Sequence, residues 1–377
     1  MARSRNVVAL LALALAACAA EDPDVATDDG VTDAPEVKVD TSSPTARRQY
    51  DANAAFALGY KARCPRGATK RLRVLVTGFG RFQSIADNAT GRIVSTMVPE
   101  ARYPETTPPA FGELDPPEPQ LSVGSRVMKL PGVDQEVEVC AMVLPVYWDL
   151  AAVLVAREIE AFRPSFVMMN GVAGSRQPLW LELGAVNAAA PLADGSDQLR
   201  PFVKKGESLA PLVDTAGPED RARANLLSWQ AVRAAASSAV TANARAEERG
   251  IAFGDIAPGV VFAGFPRESN TYLCNNVTYT TGFLMDRPGK RVRLMRASTR
   301  VLGKPNWVDV TMGADFSSVP RVFVHWPSEL ASVHREAGAE VMKAIVGAQM
   351  GALLRGEKPT RAVPELADPS LQGGAFF

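Results

Sequence analysis

Short apolar runs rich in β-branched residues recur along this chain. Each ends in a glycine or polar turn, and most are followed by a stretch with helical spacing. "RLRVLVTGF" (71–79) reads as a buried strand, and "ADNATGRIVSTMV" (86–98) as a helix with Asn88 as its N-cap. "EVEVCAMVLPV" (136–146) is a second strand, followed by "WDLAAVLVAREIEAFRP" (148–164), an amphipathic helix closed by Pro164. "SFVMMNGVAG" (165–174), "PGVVFAG" (258–264), "RVRLMRA" (291–297) and "RVFVHWP" (321–327) continue the strand series, and a long helix is expected from Ser332 to Leu354. Strands buried on both faces and alternating with helices predict an α/β fold, a three-layer α/β/α sandwich around a mostly parallel central sheet.

Composition narrows the function. Lys plus Arg and Asp plus Glu are 41 each, so no net field draws in nucleic acid. Two histidines, His325 and His334, are too few for a His-rich metal site, and no metal or cofactor is expected. The first residues, "MARSRNVVALLALALAACAA", carry Arg3 and Arg5 before an apolar run too short to span a bilayer, as a secretory leader does. Leu15-Ala16-Ala17-Cys18 resembles the bacterial lipobox, which implies lipidation at Cys18; ordinary cleavage at the same small residues is the alternative. Either reading implies export. Ala19 replaces the aspartate that retains lipoproteins at the inner membrane, so an outer-membrane anchor facing the periplasm or the outside is expected. Residues 21–48 are acidic, rich in Thr and Pro, and too polar to offset their ordering entropy.

Ligands of open α/β sheets collect at the carboxyl ends of strands. "VLVTGF", "VMMNGVAGSR" and "VFVHWP" all end there, which puts His325 at a strand end. His334, beside Arg335 and Glu336, reads as part of a solvated helix face. Cys274 falls in the first turn of a helix, where unpaired N–H groups stabilise a thiolate, and Asn270 before it tolerates a left-handed turn. In "WLELG", Leu181 and Leu183 take one strand face and Glu182 the other, either as an exposed carboxylate or as the acid partner of a cysteine–histidine pair.

Taken in order, these segments resemble a family. "GVAGSRQPLWLELGAVN" looks like the signature of pyroglutamyl peptidase I, "SNTYLCNN" its cysteine box, "VHWP" its histidine, and "VLVTGFGRF" its first strand and aromatic loop. The resemblance runs from residue 72 to about 354 and implies a catalytic triad of Cys274, His325 and Glu182. It further implies Arg176 as support near the oxyanion, Phe79 and Phe82 around a lactam ring, and Asn88 in the loop after the first strand. Val172 stands where the family has a glutamine, and Gly80-Arg81 where it has Glu-Pro, so the acyl pocket differs. The implied reaction removes an amino-terminal pyroglutamyl, or a similar small acyl group, from a peptide whose amino terminus is blocked. A non-catalytic or altered-specificity binding lipoprotein on the same fold is the alternative.

The expected organisation is a leader over 1–18, a disordered acidic tether over 19–65, and a catalytic domain over 66–358 with a tail over 359–377. Insertions are expected near 104–124, 190–222 and 286–315. With Cys18 lipidated and Cys274 free, Cys64 and Cys140 remain in an oxidising compartment; a bridge between them is expected, against two separate thiols.

Overall fold

The computed structural model describes residues 37–38, 45–67, 69–83, 85–110, 112–200, 202–203, 211–214, 217–301 and 304–368. The expected leader, Cys18 and most of the acidic segment lie outside these residues.

The central sheet has nine strands among the described residues. Its main strands are β1 (Leu72–Phe79), β2 (Ser122–Met128), β3 (Val137–Leu144), β4 (Phe166–Ala173), β5 (Leu179–Glu182), β6 (Leu226–Leu227) and β7 (Val260–Ala263). After a hairpin of β8 (Val292–Val301) and β9 (Lys304–Val310) come β10 (Arg321–Pro327) and β11 (Thr360–Arg361). The order across the sheet is β7-β5-β10-β4-β1-β3-β2, with β6 pairing β10 and β11. Pairs β10–β4, β4–β1 and β1–β3 are parallel, whereas β5 is antiparallel to β10 and β2 antiparallel to β3. The helices are α1 (Ala46–Gly59), α2 (Ala89–Met97), α3 (Leu150–Phe162), α4 (Trp229–Asn243), α5 (Leu273–Met285) and α6 (Arg335–Leu354).

Strand alternation sorts the core into two layers. Val74, Val76, Met168, Val322 and Val324 face α2, α4 and α6. Leu75, Cys140, Val167, Met169 and Phe323 face α1, α3 and α5. Two glycines let α2 start hard against the end of β1: a Cβ on Gly78 would lie 2.5 Å from the Thr90 carbonyl oxygen, and one on Gly91 2.3 Å from that of Phe79.

Four expectations are corrected. The tether does not run to residue 65, because 46–59 form α1 and bury Tyr50, Ala54 and Ala57 at helical spacing. "RVRLMRA" does not join the central sheet; its strand, β8, pairs with β9 in a hairpin that carries most of the third insertion and packs on α1. The first insertion ends early, since 122–124 already belong to edge strand β2. The tail is not free of the domain, because Thr360 and Arg361 pair with β6.

Cys64 and Cys140 are bridged, with their Cα atoms 5.8 Å apart. The bridge fixes the segment after α1 to β3, and the buried Glu158 of α3 fixes the same segment by accepting from Arg63 N (2.6 Å), Cys64 N (3.0 Å) and the Tyr60 hydroxyl. The cysteines are 76 residues apart, so the crosslink removes a large loop-closure entropy from the unfolded chain. Replacing both by alanine should lower unfolding free energy by about 2–4 kcal/mol in urea titrations. An unchanged midpoint would mean that Glu158 alone secures the segment.

Candidate active site

The site starts from the pairing of β10. Its parallel register with β4 sets His325 beside Gly171, and its antiparallel register with β5 sets Phe323 opposite Glu182 and His325 opposite Trp180. Directly opposed residues and those two apart share a face, so Glu182, Phe323 and His325 all point toward α5. Leu181 and Leu183 join the opposite core layer, as their alternation with Glu182 required.

His325 Nδ1 lies 2.8 Å from Glu182 Oε1, with the side chains 10% and 2% exposed. The contact is an ion pair rather than a straight hydrogen bond, since Nδ1 has no acceptor aligned with its N–H. The imidazole sits edge-on to Phe323 and Trp180, with ring centroids 5.0 and 5.9 Å away. Burial opposes its charge, but the Glu182 carboxylate, and after it the Cys274 sulfur, outweigh burial and push His325 up to about 10.

Cys274 occupies the first turn of α5, where N–H groups have no intrahelical acceptor. Its thiol is unbridged and partly exposed, and it is among the groups that raise His325. Beneath it lies Gly171, where a Cβ would stand 2.7 Å from the sulfur and 2.7 Å from Phe323 Cζ. Only glycine leaves room for the thiol there. The left-handed residue before the helix is Glu268 (φ 46°), while Asn270 ends a 3-10 turn. A sulfur at a helix start, an imidazole within reach and a buried carboxylate behind it can supply a nucleophile, a proton carrier and an orienting charge.

The other expected site residues are placed differently. Phe79 is core, buried at the end of β1. Phe82 is half-buried and meets Tyr272 edge-on (6.3 Å), and Tyr272 in turn meets Trp148 (5.3 Å). Val172 follows Gly171 and therefore turns to the opposite core layer, away from the sulfur's face. The Asn88 side-chain oxygen is spent as the N-cap of α2, accepting from Thr90 N (3.1 Å) and the Thr90 hydroxyl (2.8 Å). Arg176 is half-exposed and pairs with Glu329 (2.9 Å), so its charge is engaged at the surface. Arg81 is buried and bonds both oxygens of Asp115 (2.7 and 2.8 Å), so it offers no free charge to a pocket. His334 is not on a solvated face. It is buried at the N-cap of α6 with φ 58°, and its Nε2 lies 2.8 Å from the Ile251 carbonyl. The helix begins at Arg335 rather than Ser332, which leaves His334 outside it with the ring turned inward onto Phe253.

Sequence reading missed the aromatic cradle of Trp180 and Phe323, though their spacing from Glu182 and His325 carried it. It also missed Asn170, which donates to the Thr77 carbonyl (2.7 Å) and accepts from Trp326 Nε1 (2.9 Å), tying β4 to its neighbours on both sides.

Gly171→Ala should cost roughly 1–3 kcal/mol of stability by overpacking, read from denaturant midpoints. A neutral effect would mean that the sulfur and Phe323 move aside freely. The His325 charge sets a pH dependence. Its folded value stands above the ~6.5 of an unfolded chain, so its contribution is complete below that pH. The contribution is lost as pH rises through about 10. Denaturant midpoints should fall across that window, and less steeply in Glu182→Gln; equal slopes would dissociate the pair. No family model matches the chain, and no curated protein sequence does. Among solved structures it resembles pyroglutamyl peptidase I of Bacillus amyloliquefaciens (TM-score 0.45, 12% identity, covering 75% of this chain and 98% of that one). It also resembles pyrrolidone carboxyl peptidase of Thermococcus litoralis (0.46, 17%, 78% and 99%) and a mutant of that of Pyrococcus furiosus (0.44, 18%, 75% and 100%).

Proposed function

We propose that this protein is a cysteine hydrolase that removes an amino-terminal pyroglutamyl group, or a small acyl group like it, from peptides. The observation that carries the proposal is that His325 Nδ1 lies 2.8 Å from the buried Glu182 carboxylate, while the Cys274 sulfur packs over Gly171, the register neighbour of His325. The Cys274 sulfur attacks the acyl carbonyl after its proton has passed to His325, which holds it as an imidazolium. The imidazolium returns that proton to the leaving amine as the C–N bond breaks, leaving a thioester on Cys274. Water, deprotonated by the same imidazole, then cleaves the thioester and restores the thiol. Glu182 keeps the ring oriented and stabilises its charged form.

The acyl class rests on the sequence boxes around Gly171, Cys274 and His325. A half-buried aromatic wall of Phe82 and Tyr272 beside the nucleophile's helix suits a flat group without a free amine. Export and a lipid anchor at Cys18 are part of the same proposal. They are supported by the leader-like opening and by a disulfide, which persists in oxidising compartments.

Release of a fluorescent amine from a pyroglutamyl amide tests the reading. Cys274→Ala and Cys274→Ser should each lower turnover by more than roughly 10³-fold. His325→Ala should also be severe, and Glu182→Gln milder, because it orients rather than reacts. Near wild-type turnover by a folded Cys274→Ser would overturn the mechanism. No turnover by the wild type, with the fold intact, would favour a binding lipoprotein.

A further inference from the structure

We infer that residues 187–200, which lead into the second insertion, are the outer wall of the acyl pocket, and that Gln83 and Asp197 latch it shut. As a statement about substrate, this rests on the hydrolase reading above. This segment is not the surface excursion its polarity suggests. Arg200, 1% exposed, pairs with the buried Asp149 (2.9 Å), and Asp149 also accepts from Asn276 in the first turn of α5 (2.9 Å). Asp194, also buried, accepts from Trp148 N (3.0 Å), Ser196 N (2.9 Å) and Gln198 N (3.2 Å). The Leu192 carbonyl accepts from Trp148 Nε1 (2.9 Å), and that of Ala193 from the Tyr272 hydroxyl. The segment thus grips the two aromatic residues behind Phe82, one of which lies two positions before Cys274.

Across the mouth of this wall, Gln83 Nε2 donates to Asp197 Oδ1 (2.7 Å) and to the Asp194 carbonyl (3.3 Å). Gln83 follows Phe82 directly, so the latch holds the aromatic loop against the segment. Both partners sit in the left-handed region, at φ 49° and 59°. Non-glycine residues held there cost free energy and persist where surrounding contacts over-determine them. Here those contacts are the latch and the Asp194 turn. The wall is anchored from one side by the buried Arg200–Asp149 ion pair and the Asp194 hydrogen bonds, and closed at the other by an exposed side-chain pair. That arrangement makes Gln83 and Asp197 positioning residues, which limit how large an acyl group can reach Cys274.

Two substitutions break the latch without touching the buried anchors: Gln83→Asn, which tolerates the left-handed conformation but is too short, and Asp197→Ala, which removes the acceptor. Asp197→Asn keeps an acceptor and serves as the conservative control. In the full-length protein, alkylation of Cys274 is followed by peptide mass mapping with iodoacetamide and with a bulky pyrene maleimide. Loss of this bond should speed bulky labelling roughly fivefold to tenfold in Gln83→Asn and Asp197→Ala. Asp197→Asn should match wild type, and iodoacetamide rates should match throughout. Amide hydrolysis should shift in parallel, with kcat/KM for a bulky N-acylprolyl amide rising relative to the pyroglutamyl amide. Unchanged bulky labelling, an equal rise with both reagents, or Asp197→Asn behaving as Asp197→Ala would each overturn the latch. Labelling needs no turnover, so an inactive wild type would refute the hydrolase while leaving the latch to stand or fall by itself.

Discussion

Strand β10 is paired in parallel on one side and antiparallel on the other, and the candidate site depends on that double register. A slip of one residue would turn His325 and Phe323 to the far face and bring Val324 and Trp326 under α5. The hydrophobic layers forbid the slip, because Val322, Val324 and Trp326 are wholly buried among α2, α4 and α6. The same register sets Gly171 beside His325, and the missing side chain there is what lets Cys274 descend to the imidazole. Packing of one face therefore positions chemistry on the other.

Polar contacts secure the layer carrying α5. Glu158 and the Cys64–Cys140 bridge hold the segment after α1; Gln49 of α1 exchanges hydrogen bonds with the Asp115 backbone (2.8 Å each way). Asp115 in turn holds Arg81, one residue before Phe82. Buried pairs such as Arg81–Asp115 and Arg200–Asp149 add little net stability against their desolvation, but losing one partner strands a charge. Their effect is geometric. They fix loops that a purely apolar contact would leave free to slide, and those loops surround the thiol.

The fold was legible where burial on both faces makes a strand continuously apolar, as in β1, β3, β4 and β10, and where α3 shows a full apolar face. Cys274, His325 and Glu182 could be singled out because helix starts, strand ends and strand alternation fix where such residues point. Alternation also held the answer for Val172, whose parity with Gly171 sends it to the other layer. Helix α1 was hidden because its buried face is alanine and polar side chains, with Tyr50 its one large group, inside a polar stretch. The inward turn of His334 depends on α6 beginning at Arg335 rather than Ser332. Arg81 with Asp115, Arg176 with Glu329, and Gln83 with Asp197 pair across 34, 153 and 114 residues, and no local pattern encodes such partners.

The central claim is that acyl transfer passes through the sulfur above Gly171. The most direct measurement is covalent capture: brief exposure of the protein to a pyroglutamyl chloromethyl ketone, followed by proteolysis and mass mapping. The account predicts one adduct, on Cys274, formed with loss of amide hydrolysis. An adduct on another residue, or hydrolysis that continues after Cys274 is fully modified, would contradict it.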